Sequence, residues 1–191
     1  MFAKRLFDIF VSIAVLFFFG WTIVLFWILA AIDTRSNGLF LQKRVGRFAK
    51  FYTIFKLRSM RWENAKPIVS SFGKFIRRYK IDELPQFLNV LIGDMSLVGP
   101  RPDIAGYYDK LEGDDRKILE LRPGLTSLAA IKYANEDAIL ESQPNPLRYN
   151  DEVLFPDKVK MNLDYYYNRS FFGDIRLLVR TFFKFASNTT T

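Results

Sequence analysis

The chain has 191 residues, half of them apolar and 17% aromatic, with a formal net charge of +8. That is apolar material for one core of ordinary size, and the charge favours anionic partners: phosphate-bearing substrates, anionic lipid or nucleic acid. There is no cysteine and no histidine, which excludes a disulfide framework, a thiolate nucleophile or metal site, and an imidazole base. Chemistry is left to carboxylates, Lys, Tyr, Ser, Thr or a carboxylate-bound metal.

The first predicted element is a membrane helix. The 24 residues from Ile9 to Ile32 carry no charge. At about 1.5 Å per residue they reach about 36 Å, against about 30 Å of hydrocarbon. A cleaved signal peptide has an apolar region of only about 7–15 residues, and a helix apolar on all sides is uncommon in a domain this small. Lys4 and Arg5 precede the segment, and Arg35, Lys43, Arg44, Arg47 and Lys50 follow it. Lys and Arg near the ends of a span stay cytoplasmic. Basic residues at both ends fit a helix that enters, bends at Gly20 and returns; the apolar length alone fits one straight span. Residues 1–35 are therefore expected to form a membrane-inserted helix, and residues 36–191 a membrane-associated domain.

Asp33–Gly38 reads as a turn-rich exit. Leu39–Gln42 and Phe51–Lys56 read as a hairpin around Gly46, and Lys66–Ser71 as a loop. Phe72–Tyr79 is a basic amphipathic helix with Lys74, Arg77 and Arg78, either a solvated face or a lipid or phosphate contact. Asp82 is expected to N-cap a helix whose apolar stripe is Leu84, Phe87, Leu88 and Leu91, ended by Gly93. Ser96–Val98 is strand-like and enters the turn Gly99-Pro100-Arg101-Pro102. Ile104–Leu121 reads as helical with a break near Gly113, and Thr126–Lys132 as a buried strand or extended segment. Asn135–Ser142 is a short helix, Gln143–Asn150 a loop, and two helices close the chain. The last, Asp174–Phe185, carries Ile175, Leu178, Val179, Phe182 and Phe183 on one face, for a core or for a membrane interface.

The run from Lys80 to Pro102 holds the chemistry. It sets two adjacent carboxylates, Asp82 and Glu83, at a helix N-terminus, where N–H groups stabilise negative charge and can hold phosphate. A carboxylate there can attack phosphorus, and its neighbour can bind Mg²⁺; the same pair also reads as a plain cap and first-turn Glu. Arg101 between two prolines presents a guanidinium from a stiff backbone, suited to a diphosphate or simply to a turn. Lys56 and Arg58 share one face of a strand.

Lys4-Arg5-Leu6-Phe7-Asp8, Phe55-Lys56-Leu57-Arg58-Ser59-Met60, the Asp82–Pro102 run, Arg122-Pro123-Gly124-Leu125-Thr126 and Leu163-Asp164-Tyr165-Tyr166 stand in one order. In that order they resemble the bacterial sugar transferase family, the monotopic polyprenyl-phosphate phosphoglycosyl transferases. The resemblance implies an α/β fold of the α+β kind, helix-rich with a small β-hairpin or sheet. It implies a re-entrant N-terminal helix and interfacial amphipathic helices at the cytoplasmic face of a bacterial inner membrane. It implies catalysis by Asp82 as nucleophile with Glu83 beside it, the two holding Mg²⁺. Lys56, Arg101 and Asp164 are implied to bind substrate. The implied reaction moves a sugar-1-phosphate from a UDP-sugar to polyprenyl phosphate, releasing UMP. Membrane lipid is the surrounding partner, nucleic acid is not expected, and a homo-oligomer is compatible. An inactive membrane adaptor with the same fold is the alternative. Two positions depart from the family pattern: Gly20-Trp21 stands where Ser-Pro is common, and Tyr133-Ala134 where Gly-Arg is common.

Overall fold

The structure is a computed structural model that describes residues 2–189. Its order is α1 (Phe2–Thr34), β1 (Leu39–Val45), β2 (Phe51–Leu57), β3 (Arg61–Glu63), β4 (Lys66–Ile68), α2 (Ser71–Arg78), α3 (Gln86–Ile92) and β5 (Ser96–Val98). There follow β6 (Gly124–Thr126), α4 (Leu128–Lys132), α5 (Glu136–Glu141), α6 (Pro146–Tyr149), α7 (Phe155–Asn168) and α8 (Phe171–Thr189). This is the expected helix-rich α/β chain with small sheets. The chain divides into two compact units, one of residues 1–44 and 52–95, the other of residues 45–51 and 96–188.

In the first unit α1 is continuous for 33 residues, through Gly20. Its flank is bare: Phe10, Phe17, Phe18, Trp21, Ile28 and Ile32 are all exposed. It is long and apolar enough to cross a membrane, and such an uncovered apolar surface belongs in lipid. Both ends of α1 are nevertheless tied to the same unit. Arg5 donates to the carbonyls of Val90 and Leu91 at 2.6 and 2.9 Å, capping the C-terminus of α3 with a cation. At the other end Asp33 accepts the Ser70 hydroxyl at 2.7 Å, and its carbonyl accepts from Arg61. Phe26 stacks on Phe72 and Phe75 of α2. Ser70 caps α2 by accepting the Gly73 N–H. The exposed stripe of α2 is Lys74, Phe75, Arg78 and Tyr79, cations beside rings, an interfacial composition.

Helix α3 departs from the expected pattern. Its buried residues are Gln86, Asn89 and Val90, while Leu88 and Ile92 are exposed. Of the expected apolar stripe Leu88 is exposed and Leu84, Phe87 and Leu91 are half-buried, while the polar Gln86 and Asn89 take fully buried positions. Residues 66–71 also depart, because β4 pairs antiparallel with β3.

In the second unit β5 and β6 run parallel, with Ser96 opposite Gly124 and Val98 opposite Thr126. Their crossing is tight. A Cβ on Gly124 would stand 2.1 Å from the Gly99 nitrogen, and one on Gly99 would stand 2.3 Å from the Arg122 carbonyl. Neither obstacle is a movable side chain, so Gly124→Ala is expected to lower the melting temperature by an amount matching at least about 1–3 kcal/mol of overpacking. Thermal unfolding in detergent measures it; an unchanged melting temperature would show the strands can separate freely.

Residues 104–121 form two 3₁₀ turns, Tyr108–Lys110 and Asp115–Glu120, with irregular chain between. The long helix expected there is absent because Gly106 and Gly113 hold left-handed backbone, φ +105° and +56°, which an α-helix cannot include; Tyr108, Ile118 and Leu119 bury against Val45 and Val159 from the two separate turns. The segment after Thr126 is helix α4, capped by Ser127, which accepts the Ala130 N–H. The expected loop 143–150 contains α6, capped by Asn145. Among the described residues of α8, Asp174 and Leu177 are well buried, and Val179, Phe182 and Phe183 are exposed. On the face expected to serve a core or a membrane interface, Ile175 and Leu178 are half-buried and the other three are exposed.

Candidate active site

Lys80 carries a left-handed backbone, φ +54°, and turns the chain into a 3₁₀ turn over Ile81–Glu83. The turn is closed by i→i+3 bonds, Glu83 N–H to the Lys80 carbonyl and Leu84 N–H to the Ile81 carbonyl, the 3₁₀ pattern and not the α-helical one. The helix begins only at Gln86. Asp82 is therefore not its N-cap, contrary to the sequence expectation. The 3₁₀ turn instead points Asp82 inward, to 1% exposure.

Strand β2 brings Lys56 to meet it. Lys56 Nζ lies 2.8 Å from Asp82 Oδ2 and 3.5 Å from Glu83 Oε1. Both carboxylates thus share one ammonium. The other Asp82 oxygen, Oδ1, is buried with no hydrogen-bond partner. Burial pushes the Asp82 carboxyl above the ordinary value of 3.8, the nearby Lys56 charge and hydrogen bond pull it back, and Glu83 raises it further. A buried ion with one bare oxygen is an expensive arrangement, and such groups concentrate at functional sites.

Two adjacent carboxylates and a bare oxygen fit Mg²⁺, which takes one or two protein carboxylates and completes its shell with water and substrate phosphate. Among the described residues no group of three or more acidic ligands could cage a metal by itself, so any ion held here would depend on phosphate for the rest of its shell.

Arg101 and Asp164 belong to the second unit. Arg101 is exposed on the loop after β5, lining a small pocket with Val45, Gly46, Pro102 and Tyr108. The loop's base is held by Gly99 N–H to Thr126 and Gly124 N–H to Pro100. Asp164 is exposed on α7 and accepts the Asn168 amide at 2.7 Å. The polar groups α7 buries are others: Asn162 donates to Tyr108, and Tyr165 donates to the buried Asp174 at 2.6 Å. So the structure gathers Lys56, Asp82 and Glu83 into one cluster in the first unit. Asn89 was missed. Its trace in the sequence is an amide set inside an apolar helical run.

Comparison with known proteins gives the chain's family. The bacterial sugar transferase family pattern matches residues 1–188. The galactosyl transferase CpsE of Streptococcus agalactiae is 33% identical over 94% of this chain and 41% of its own length. The UDP-glucose:undecaprenyl-phosphate glucose-1-phosphate transferase of Klebsiella pneumoniae is 35% identical over 77% of this chain and 35% of its own. The chain thus spans about two fifths or less of these two relatives. A sugar transferase of Bacillus subtilis, EpsL, is 34% identical over 95% of this chain and 86% of its own. With the pattern matched almost end to end and a relative of similar size aligned along its length, the chain belongs to the bacterial sugar transferase family.

Proposed function

We propose that this transferase moves a sugar-1-phosphate from a UDP-sugar to polyprenyl phosphate through a covalent intermediate on Asp82. The observation that carries the reading is the division of labour on that carboxylate: Oδ2 is held by Lys56 at 2.8 Å, and Oδ1 is buried and bare. Oδ1 attacks the β-phosphorus of the donor. The bond from that phosphorus to the bridging oxygen breaks, and UMP leaves with the electron pair. A phosphate oxygen of the polyprenyl carrier then attacks the same phosphorus, and the Asp82–phosphorus bond breaks to restore the carboxylate. Splitting one displacement into two is the gain of covalent catalysis. Lys56 draws charge from Oδ2 and keeps the carboxylate ionised despite its burial. Glu83, with Asp82, would hold Mg²⁺, which neutralises charge on the transferring phosphate. Arg101, in the second unit, carries a planar guanidinium of the kind that binds phosphate oxygens. The name of the Klebsiella relative supports both donor class and acceptor. Incubating the protein with a panel of UDP-sugars and undecaprenyl phosphate in detergent tests this. UMP release with one or a few sugars is the expected result; UDP as product would refute it.

The hold on both ends of α1 supports a re-entrant topology on the cytoplasmic face of the inner membrane. A straight span would separate its ends by about 30 Å of hydrocarbon, and a body on one side cannot grip both. Here Arg5 and Asp33 are each bonded to the same unit. Because the chain has no cysteine, single cysteines placed near each end report their side cleanly. Neither is expected to react with an impermeant thiol reagent outside intact cells. External labelling at one end only would establish a straight span.

A further inference from the structure

We propose that Asn89 is a positioning residue for the reaction, fixing the register of β2 against α3 so that Lys56 meets Asp82. This rests on the site reading given above. Alternate residues of a strand turn their main-chain groups to opposite edges. On β2 the edge toward β1 is marked just past the strand by Arg58 N–H, which binds Gly38. Thr53 and Phe55 therefore present their groups on the other edge, where Asn89 stands. Its Nδ2 donates to the Thr53 carbonyl at 2.7 Å and its Oδ1 accepts the Phe55 N–H at 3.0 Å. A carboxamide has the donor and acceptor set of a peptide group, so one side chain completes the strand edge as a neighbouring strand would.

The placement matters because of what lies next to each end. Lys56 directly follows Phe55, and Asp82 and Glu83 lie in the turn that leads into α3. Asn89 is itself fully buried, and its own carbonyl takes both the Gly93 and Met95 N–H groups. It is locked on one side to the helix end and on the other to the strand. Lys56 also ties the strand to the turn, but through a flexible four-carbon stem. Productive geometry needs tolerances near 0.5 Å, which that stem does not impose without a fixed root.

The test is a double-mutant cycle read on the first turnover, UMP release from donor without polyprenyl phosphate. Asn89→Ala is expected to lower the maximal rate by about tenfold while the half-saturating donor concentration moves less than twofold. Lys56→Met is expected to lower the rate by a similar factor. In the Lys56→Met background, Asn89→Ala should cost less than twofold more, because there is no ammonium left to place. Equal fold losses in both backgrounds would overturn the proposal and leave Asn89 a stabilising residue only. A Lys56→Met rate equal to wild type would overturn the site reading and this proposal with it, a result distinct from additivity. Asn89→Ser, which keeps one polar contact, should fall between wild type and Ala. If neither variant shows a cooperative melt, the residue serves folding and the proposal fails.

Discussion

Asp82→Asn should abolish UMP release, including the first turnover in the absence of acceptor. The amide matches the carboxylate in shape but lacks the charge and the nucleophilic electron pair. Intact-protein mass spectrometry after incubation with UDP-sugar and Mg²⁺ should show a phosphosugar adduct on the wild type and none on the variant. Glu83→Gln should turn over far more slowly yet still accept the adduct. An adduct that persists in Asp82→Asn would refute the mechanism. Loss of activity through misfolding is separable by the sign of the stability change. The Asp82 carboxyl is raised above 3.8 in the fold, chiefly by burial. A carboxyl whose pKa is higher folded than unfolded opposes folding once ionised. The penalty is full above the raised value and disappears as pH falls through it toward the unfolded value. Asp82→Asn should therefore melt above wild type at neutral pH, and the gap should close on acidification. A variant that melts below wild type at neutral pH would show that the pairing with Lys56 outweighs burial.

Arg101→Lys should lower kcat/KM for the UDP-sugar by about ten- to a hundredfold, the worth of a charge-assisted contact of about 1.5–3 kcal/mol. Lys keeps the charge but is a point donor, unable to hold two phosphate oxygens in one plane. The loop that carries Arg101 is stiff for reasons on both sides. Pro100 and Pro102 restrict its backbone, and the Gly99–Thr126 and Gly124–Pro100 bonds anchor its base. The side chain is exposed, so the substitution should leave the melting temperature near wild type. Wild-type turnover in the Lys variant would reduce Arg101 to a turn residue.

Much of this was legible in the chain itself. An uncharged run longer than a bilayer needs no partner to be recognised, because every residue contributes to the same transfer free energy. The hairpin, α2 and the closing helices follow from local period and punctuation. So does the special character of the dyad, since adjacent Asp and Glu ahead of a proline stand out at short range. What failed were inferences that needed to know a neighbour. The stripe of Leu84, Phe87, Leu88 and Leu91 has correct helical spacing, yet Gln86 and Asn89 face inward. Periodicity shows that a helix has two faces and not which of them meets protein.

The sequence by itself determined the membrane helix, the charge balance, the absence of imidazole and thiol chemistry, and the candidate residues Lys56, Asp82, Glu83, Arg101 and Asp164. Only the tertiary structure decided that Lys56, Asp82 and Glu83 meet. It set Lys56, 26 positions before Asp82, within 2.8 Å of it, and left one carboxylate oxygen bare in the interior. It replaced the N-cap with a 3₁₀ turn, and it put Asn89 on the strand edge beside Lys56. The physical reason is common to all of these. Propensity and period act over a few residues, whereas burial and ion pairing depend on which distant surfaces meet. The folded chain holds Asp82 in a buried state that its local sequence would not select.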